Sequence, residues 1–449
     1  MNDTIAAIST AQGVGAISII RVSGDDAISI VSSIFSNKSF AGAESHTIHY
    51  GYIVDGTNKI DEVLVSLMRT PRTFTKENVV EINSHGGIVT TNKVLELLLT
   101  RGCRLAEPGE FTKRAFLNGR IDLTEAEGII DLINAKSDKS REIAINQVSG
   151  KASNMIKDLR EKLGFVLANI EVNLNYPEYE DIEEVTVEKI KESIDDIDNK
   201  VSSIVRESKN GQIIKEGIKT VIVGKPNVGK SSILNNLVGE DKAIVTDIKG
   251  TTRDSVEATI VIDNIILNLI DTAGIRKTSD VVESIGAKKS LSLIESADLV
   301  LLVLDYSERL SDEDKFIIDK LKDKNYIAII NKCDLEKKID DESLENKVYV
   351  SALKNINMDG IANKIKELFN LEKLETSDLS YLTSARSISI LNKVCDSIDD
   401  VRKGLSSGIT LDMLDIDLKN IWNLLGEIIG ESYDDELIDE LFSNFCVGK

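Results

Sequence analysis

The sequence "GKPNVGKS" at residues 224 to 231 limits the fold of this chain more than any other feature. It fits the pattern G-x-x-x-x-G-K-[ST], follows the apolar run 218–223 and precedes the helical segment "SSILNNLVG". In that context the glycines let backbone N–H groups point at phosphates, the lysine contacts the β- and γ-phosphates, and the serine hydroxyl binds Mg²⁺. A glycine-rich turn without a ligand is the alternative for such a match taken alone.

Residues 217 to about 372 alternate apolar, strand-like runs with loops and helical segments. The runs are "IKTVIVG", "LNLIDTAG", "LVLLVLD", "YIAIINKCD" and "KVYVSA". This order is typical of a doubly wound parallel sheet, in which loops at the carboxyl ends of the strands form the ligand site. The sequence therefore predicts an α/β P-loop domain with its site at that edge.

Three further motifs follow strand ends in the order expected of a GTP-binding domain. "DTAG" lies at 271–274, "NKCD" at 331–334 and "SAL" at 351–353. A carboxylate such as Asp334 accepts hydrogen bonds from the N1–H and amino groups of guanine, which adenine does not present in that form. Asn331 is expected to read the base as well, and the third motif to hold the guanine edge through backbone N–H groups. The motifs predict GTP as the ligand.

The threonine-rich loop "IVTDIKGTTRDS" at 244–255 precedes the "DTAG" motif. Thr252 is predicted to join Ser231 on Mg²⁺ only when GTP is bound, and a turn rich in cap-forming residues is the alternative. The predicted GTP-binding residues are Asn227, Val228, Gly229, Lys230, Ser231, Ser232, Thr246, Asp247, Ile248, Lys249, Gly250, Thr251, Thr252, Asp271, Thr272, Ala273, Gly274, Asn331, Lys332, Asp334, Ser351, Ala352 and Leu353.

The segments on either side of the α/β domain have different patterns. The N-terminal segment mixes short strand-like runs with Gly, Asn and Asp breakers, which predicts an α+β domain. The next segment and the C-terminal one carry apolar residues at three- and four-residue steps, which predicts one helical bundle, and Thr124 and Glu127 have the spacing of a capping box. The predicted domains are 1–119, 120–212 together with 374–449, and 213–373 as an insertion.

Composition narrows the class of protein. The chain has 54 basic and 75 acidic residues, a net charge of -21, so an RNA partner requires a local basic patch or delivery by another protein. The cysteines share no C-x-x-C spacing and predict neither a zinc site nor a disulfide framework. No apolar run of membrane-spanning length occurs in the sequence, and together these features predict a cytoplasmic protein without a membrane segment.

Several stretches together resemble the MnmE family of tRNA uridine-modification GTPases over essentially the whole chain. They are "GKPNVGKSS", "IVTDIKGTTRD", "DTAGIR", "FLNGRIDLTEAEGIIDLI" and the terminal "FCVGK". The resemblance implies a GTPase that works with an MnmG-like partner using FAD and NADH, in a heterotetramer-type complex. Together they would build a (carboxymethyl)aminomethyl group on C5 of the wobble uridine of certain tRNAs. It also implies a homodimer joined through N-terminal domains that bind a reduced tetrahydrofolate derivative.

The resemblance implies four folate-binding positions, Arg21, Glu81, Arg120 and Lys449. The third is commonly a lysine in the family, so its charge is kept while its geometry differs. From the sequence alone, Arg21 and Glu81 are charges at the ends of apolar strands, for which a surface ion pair is the alternative. Cys446, near the basic C-terminal residue, is a candidate reactive thiol, or else a small residue packed at the rim of the folate pocket.

Ile275 follows "DTAG" where Ras-type GTPases have the glutamine that orients the attacking water, and isoleucine forms no side-chain hydrogen bond. The resemblance implies that K⁺ supplies the missing charge stabilisation. The implied K⁺ ligands are Asn227 and the backbone carbonyl oxygens at Thr246, Ile248 and Thr251. The alternative for Asn227 is a hydrogen bond to its own loop.

The implied catalytic residues are Lys230 and Glu283, the second of which would orient the water when two G domains meet. A solvated charge at a helix start is the alternative for Glu283. The rival function is an Era-type ribosome-assembly switch without one-carbon chemistry. It would require a basic RNA-binding domain after the α/β domain, and the acidic segment 384–440 does not have that character.

Overall fold

A computed structural model describes residues 3–175, 187–239, 256–270, 293–371, 381–432 and 435–448. The chain divides into two compact units. The first unit consists of residues 1–130, 153–160 and 422–449, and the second of residues 131–152 and 161–421. Among the described helices, none combines the length and apolar character that a membrane span requires.

The described secondary structure follows the predicted change from mixed to helical to alternating segments. The strands are β1 Ile5–Ile8, β2 Ile17–Ser23, β3 Thr47–Asp55, β4 Asn58–Met68, β5 Val79–His85, β6 Arg104–Leu105, β7 Ile218–Val223, β8 Val256–Ile262, β9 Ile265–Ile270, β10 Leu299–Asp305, β11 Tyr326–Asn331 and β12 Lys347–Tyr349. The helices are α1 Ala27–Ile34, α2 Ile88–Thr100, α3 Glu110–Leu117, α4 Leu123–Asn134, α5 Asp138–Val148, α6 Lys151–Asn175, α7 Val187–Glu216, α8 Lys230–Gly239, α9 Asp312–Lys320, α10 Asp359–Leu368, α11 Ala385–Ser407, α12 Leu411–Ile429 and α13 Asp435–Ser443.

Six strands of the described part of the first unit form one sheet, in the order β3-β4-β5-β2-β1-β6. Neighbouring strands are antiparallel except β1 and β6, which are parallel. Alternate residues of the central strands, among them Ile20, Val22 and Ile82, form a core with α1 and α2. Because side chains alternate between the faces of a strand, Arg21 and Glu81 lie on the opposite face. The predicted α+β character of the N-terminal segment is confirmed.

The C-terminal residues of the first unit pack against its N-terminal part. Phe442 of α13 joins Phe116 of α3 in a buried cluster. The Ser9 hydroxyl donates to the carbonyl oxygen of Gly448 at 3.0 Å. Gly448 has φ +91°, and a Cβ atom there would collide with the backbone of Ile8. Gly448 therefore lies beside Ile8, at the end of β1, in contacts that only glycine permits.

Six strands of the described part of the second unit form the other sheet, in the order β12-β11-β10-β7-β9-β8. Five of these strands are parallel to their neighbours, as predicted, and β8 is antiparallel to β9. Asp263 and Asn264 connect β8 to β9 with φ +48° and +66°. Positive φ at both central residues is typical of the two-residue hairpin turn, which Asp and Asn tolerate better than most residues. Strand β8 is not among the strands predicted from the sequence.

Helices of the second unit share one apolar core with the parallel sheet. Ile143 of α5, Ile214 of α7 and Tyr381, which precedes α11, are buried in the same cluster as Leu267 of β9. The side-chain amide of Gln147 on α5 donates to the carbonyl oxygen of Tyr381 at 3.0 Å. Helices α5 and α7, together with the residue Tyr381 before α11, are therefore packed on the sheet.

The start of α4 differs from the predicted capping box. Asp122 accepts a hydrogen bond from the N–H of Glu125 at 3.0 Å, and Glu125 accepts one from the N–H of Asp122 at 2.8 Å. Thr124 instead donates its hydroxyl to Asp122 at 2.7 Å. The cap lies two residues before the predicted pair of Thr124 and Glu127, because an ionised aspartate accepts from both the backbone N–H and the threonine hydroxyl.

Candidate functional site

The loop at residues 224–229, between β7 and α8, has a backbone that requires glycine at both ends. Gly224 has φ +143° and Gly229 has φ +100°. A Cβ atom at Gly224 would collide with the carbonyl oxygen of Val303, and one at Gly229 with the side-chain amide of Asn331. The loop therefore packs closely on the ends of β10 and β11. Since α8 begins directly after it, the helix N-terminus lies at the same edge and favours an anion.

Lys230, the first residue of α8, turns back over this loop. Its ammonium group donates to the carbonyl oxygens of Gly224 and Lys225, both at 2.6 Å. Burial lowers the pKa of Lys230, because a low-dielectric environment disfavours its charged form. A phosphate group beside this ammonium group would supply a negative charge, which would stabilise the charged form of the buried lysine. Ser231 and Ser232 follow in the first turn of α8.

Asn331 joins the phosphate-binding loop to the two loops predicted to hold the base. Its side-chain amide donates to the carbonyl oxygen of Val228 at 2.9 Å. Its side-chain oxygen accepts from the N–H of Ala352 at 3.0 Å. The ammonium group of the next residue, Lys332, donates to the carbonyl oxygen of Asn227 at 3.0 Å. The structure thus brings the described members of the three predicted motifs to one edge of the sheet.

Asp334 lies in the turn after β11 and carries the charge expected of a guanine-reading residue. Its carboxylate is 3.4 Å from the ammonium group of Lys354. A hydrogen bond from Ser351 is the main cause that lowers the pKa of Asp334. The carboxylate is therefore ionised at neutral pH and only accepts hydrogen bonds, as the adjacent donors of guanine require. Ser351 is buried at the base of its loop, whereas Leu353 is exposed.

The other predicted nucleotide-site residues lie outside the described residues. They are Thr246, Asp247, Ile248, Lys249, Gly250, Thr251, Thr252, Asp271, Thr272, Ala273, Gly274 and Glu283, and Ile275 and the folate candidate Lys449 lie outside as well. Described strands adjoin the two segments that contain these nucleotide-site residues. Strand β8 begins at Val256, after the threonine-rich loop, and β9 ends at Ile270, directly before "DTAG".

A second cluster of charged and aromatic side chains lies in the first unit. The guanidinium of Arg21 is 2.9 Å from the carboxylate of Glu81, and both side chains are partly exposed. It also lies 5.6 Å from the ring centroid of Phe111 and 5.7 Å from that of Phe74. The guanidinium of Arg120 is 4.9 Å from the same Phe74 ring. Two of the four predicted folate-binding residues, Arg21 and Arg120, therefore contact one phenylalanine, Glu81 pairs with Arg21, and the ion pair considered as an alternative is present.

Cys446, the candidate thiol, is an exposed free cysteine. Its carbonyl oxygen accepts from the N–H of Gly109 at 3.2 Å. This bond fixes the backbone of the C-terminal segment and leaves the side chain exposed.

Some of the side chains that contact the two sites were not predicted from the sequence. Asp305, the last residue of β10, and Asp314, near the start of α9, form ion pairs with lysines of the nucleotide site. The carboxylate at a parallel strand's end was a usable signal for Asp305. Phe74 lies in a loop with no motif or periodicity, so only the fold identifies it.

A phosphate-binding loop after one parallel strand, linked through Asn331 to a guanine-type loop after another, defines a P-loop GTPase. Two family models match the chain, "GTP-binding protein TrmE N-terminus" over residues 4–120 and "MnmE helical domain" over residues 123–446. A tRNA modification GTPase MnmE from Streptococcus thermophilus (strain CNRZ 1066) is 50% identical over 449 residues, which cover 100% of this chain and 98% of that protein. A tRNA modification GTPase MnmE from Streptococcus pyogenes serotype M5 (strain Manfredo) is 50% identical over 452 residues, which cover 100% of this chain and 98% of that protein. The chain belongs to the MnmE family of tRNA modification GTPases and is a GTP hydrolase that takes part in tRNA modification.

Solved structures match part of the chain. The G domain of the FeoB iron transporter from T. maritima is 26% identical, with a TM-score of 0.25, and the match covers 34% of this chain and 98% of that one. A variant of Era from Aquifex aeolicus, bound to GDP and AlF4⁻, is 30% identical, with a TM-score of 0.24, over 34% of this chain and 56% of that one.

Asp334→Asn should change the nucleotide preference from GTP to xanthosine triphosphate. The new amide would oppose the guanine amino group with a donor, whereas xanthine presents a carbonyl oxygen there. Loss of charge-assisted hydrogen bonds worth about 3 kcal/mol predicts a GTP affinity about 100-fold lower. Calorimetric titration of both nucleotides measures the change, with the exposed Asp340→Asn as the matched control. Unchanged GTP affinity in Asp334→Asn would contradict the assignment of Asp334 to the base.

Proposed function

We propose that this chain hydrolyses GTP to GDP and phosphate while it installs, with an MnmG-like partner using FAD and NADH, a (carboxymethyl)aminomethyl group on C5 of the wobble uridine. A reduced folate bound to the chain supplies the one-carbon unit. One observation carries the proposal: the chain has two sites of different chemistry, the GTP-type site and the cluster of Arg21, Glu81 and Arg120. The proposed domains are 1–119, 120–212 with 374–449, and 213–373.

The second cluster has the chemistry that a reduced folate requires. A reduced pterin presents adjacent N–H donors, which suit the carboxylate of Glu81, and the glutamate tail of folate presents carboxylates, which suit guanidinium groups. The ring of Phe74, in contact with Arg21 and Arg120, offers an apolar surface for a planar ligand. Lys449 is the proposed fourth residue, and the contact of Gly448 with Ser9 supports its assignment because it ties the preceding residue to β1.

A homodimer is part of the proposal, and the exposed face of the first sheet supports it. Ile48, Tyr50 and Leu64 are exposed on the sheet face that also carries Arg21 and Glu81. A contiguous apolar area of this kind is typical of a protein interaction surface. A second copy of the chain on this face would exclude water from apolar side chains next to the folate cluster.

Hydrolysis without the water-orienting glutamine needs a source of positive charge at the phosphates and another residue that orients the water. We propose K⁺ bound by Asn227 and by the carbonyl oxygens of Thr246, Ile248 and Thr251, with Mg²⁺ on Ser231 and Thr252. The described part of this set fits a cation, since Asn227 has an oxygen-bearing side chain and a fixed backbone with φ +62°. Glu283 is the proposed residue that orients water, and Lys230 contacts the phosphates.

The proposed place of action is the cytoplasm, with tRNA as the substrate. The net charge of -21 supports a tRNA contact that is local or shared with the partner protein.

GTP hydrolysis should be faster in KCl than in NaCl of equal ionic strength, by about tenfold or more if the cation stabilises the transition state by at least about 1.4 kcal/mol. Asn227→Gly should abolish the difference, because glycine accepts φ +62° without strain and removes only the side-chain ligand. Single-turnover rates in both salts measure it, and the exposed Asn325→Ala is the control. Equal rates of the unaltered protein in the two salts would refute the potassium proposal.

Arg21→Gln should weaken binding of tetrahydrofolate about 10- to 100-fold, the loss expected for one charge-assisted hydrogen bond. The measurement is anaerobic calorimetry on the full chain. Arg101→Gln is the matched control, because Arg101 is an exposed arginine of the same unit that pairs with Asp55 at 3.5 Å. If both variants bind tetrahydrofolate as the unaltered chain does, the cluster is a surface ion pair only.

A further inference from the structure

Two buried aspartates outside the GTPase motifs lie next to the segment Lys225, Pro226 and Asn227 of the phosphate-binding loop. Asp305, at the end of β10, is 7% exposed, and Asp314, in the first turn of α9, is 4% exposed. Each forms an ion pair with a lysine, Asp305 with Lys332 and Asp314 with Lys225, both at 2.5 Å. Both aspartates line the same small cavity beside the loop.

Asp305 holds Lys332 in place. Its first carboxylate oxygen accepts from the N–H and the hydroxyl of Ser307, at 2.8 and 2.7 Å. The second accepts from the ammonium group of Lys332, which also donates to the carbonyl oxygen of Asn227. Asp305 is therefore held by its own loop, and it fixes the ammonium group of Lys332, which donates to the backbone of Asn227.

Asp314 holds the other end of the segment. It is the third residue of α9 and caps that helix together with Ser311, whose N–H and hydroxyl donate to it at 2.9 Å. The same carboxylate oxygen binds the ammonium group of Lys225. The side chain two residues before Asn227 is thus tied to a helix N-terminus.

Electrostatic attraction to a nucleotide does not explain why these two carboxylates lie beside the loop. A negative charge beside a loop that binds a triphosphate opposes binding, and burying it costs free energy unless it is paired. Each carboxylate is neutralised by a lysine and fixes the position of that lysine. We therefore infer that its role is to set the geometry of the loop. The segment between the two pairs contains proline and an asparagine with φ +62°, a conformation in which non-glycine residues are uncommon.

We propose that Asp305 and Asp314 are positioning residues that hold Asn227 in the geometry needed to bind the activating K⁺. This inference rests on the proposed potassium site. Without the two ion pairs, Asn227 would have to be ordered when the cation binds, and that ordering would reduce the affinity for K⁺.

The test compares Asp305→Asn and Lys225→Gln in the full chain. Lys225→Gln removes the second ion pair and leaves the cap of α9 by Asp314 intact. Binding of GDP with AlF4⁻, a mimic of the transition state that K⁺ is proposed to stabilise, is titrated against KCl, with NaCl keeping the ionic strength constant. Loss of one charge-assisted bond should raise the half-saturating K⁺ concentration about tenfold in each variant. The control Lys322→Gln removes an ion pair with Asp319 from a 72% exposed lysine and should change nothing.

Unchanged half-saturating K⁺ concentrations in both variants, with potassium dependence present in the unaltered chain, would overturn this inference and leave the potassium proposal standing. No potassium dependence of GDP–AlF4⁻ binding in the unaltered chain would overturn both. Thermal unfolding checks that the variants fold, and if Asp305→Asn does not, Lys225→Gln alone decides the outcome. A loss of stability without a shift in the potassium response would assign the two pairs a purely structural role.

Discussion

The buried amide of Asn331 is the interaction on which the nucleotide site depends. It bonds the carbonyl oxygen of Val228 on one side and the N–H of Ala352 on the other. Removing it would leave both backbone groups buried without these partners, at a cost of about 1–3 kcal/mol each. Because the phosphate loop and the base loops are already joined, a nucleotide that contacts both ends spends little binding energy on ordering them. The lack of a Cβ atom at Gly229 is what lets this amide approach.

In the first unit, the register of β2 against β5 determines where the charged cluster lies. Arg21 and Glu81 are direct neighbours across the antiparallel pair of β2 and β5. A slip of β2 by one residue would move Arg21 into the core and Ile20 to the exposed face, so the apolar core and the charged cluster require the same register. The folate proposal therefore depends on a pair whose position the core determines.

Elements with strong local patterns were predictable from the sequence, and long-range contacts were not. The run "LVLLVLD" and the spacing of the P-loop identified β10 and its neighbours, because buried parallel strands read as continuous apolar runs. The edge strand β8 was missed, since its position depends on a turn at Asp263 and Asn264. The pairing of Lys225 with Asp314 joins residues far apart in the chain, and nothing in the local sequence indicates it. The cap of α4 was misplaced because Asp122 and Thr124 are both good capping residues.

We propose that GTP hydrolysis by this chain serves modification of the wobble uridine. The most direct measurement is mass spectrometry of nucleosides from the tRNA of a strain that lacks the chain, compared with strains that carry the unaltered chain or Lys230→Ala. We predict that the C5-modified uridine disappears without the chain, returns with the unaltered chain, and stays absent with Lys230→Ala. Intact C5 modification in the strain that lacks the chain would contradict this proposal.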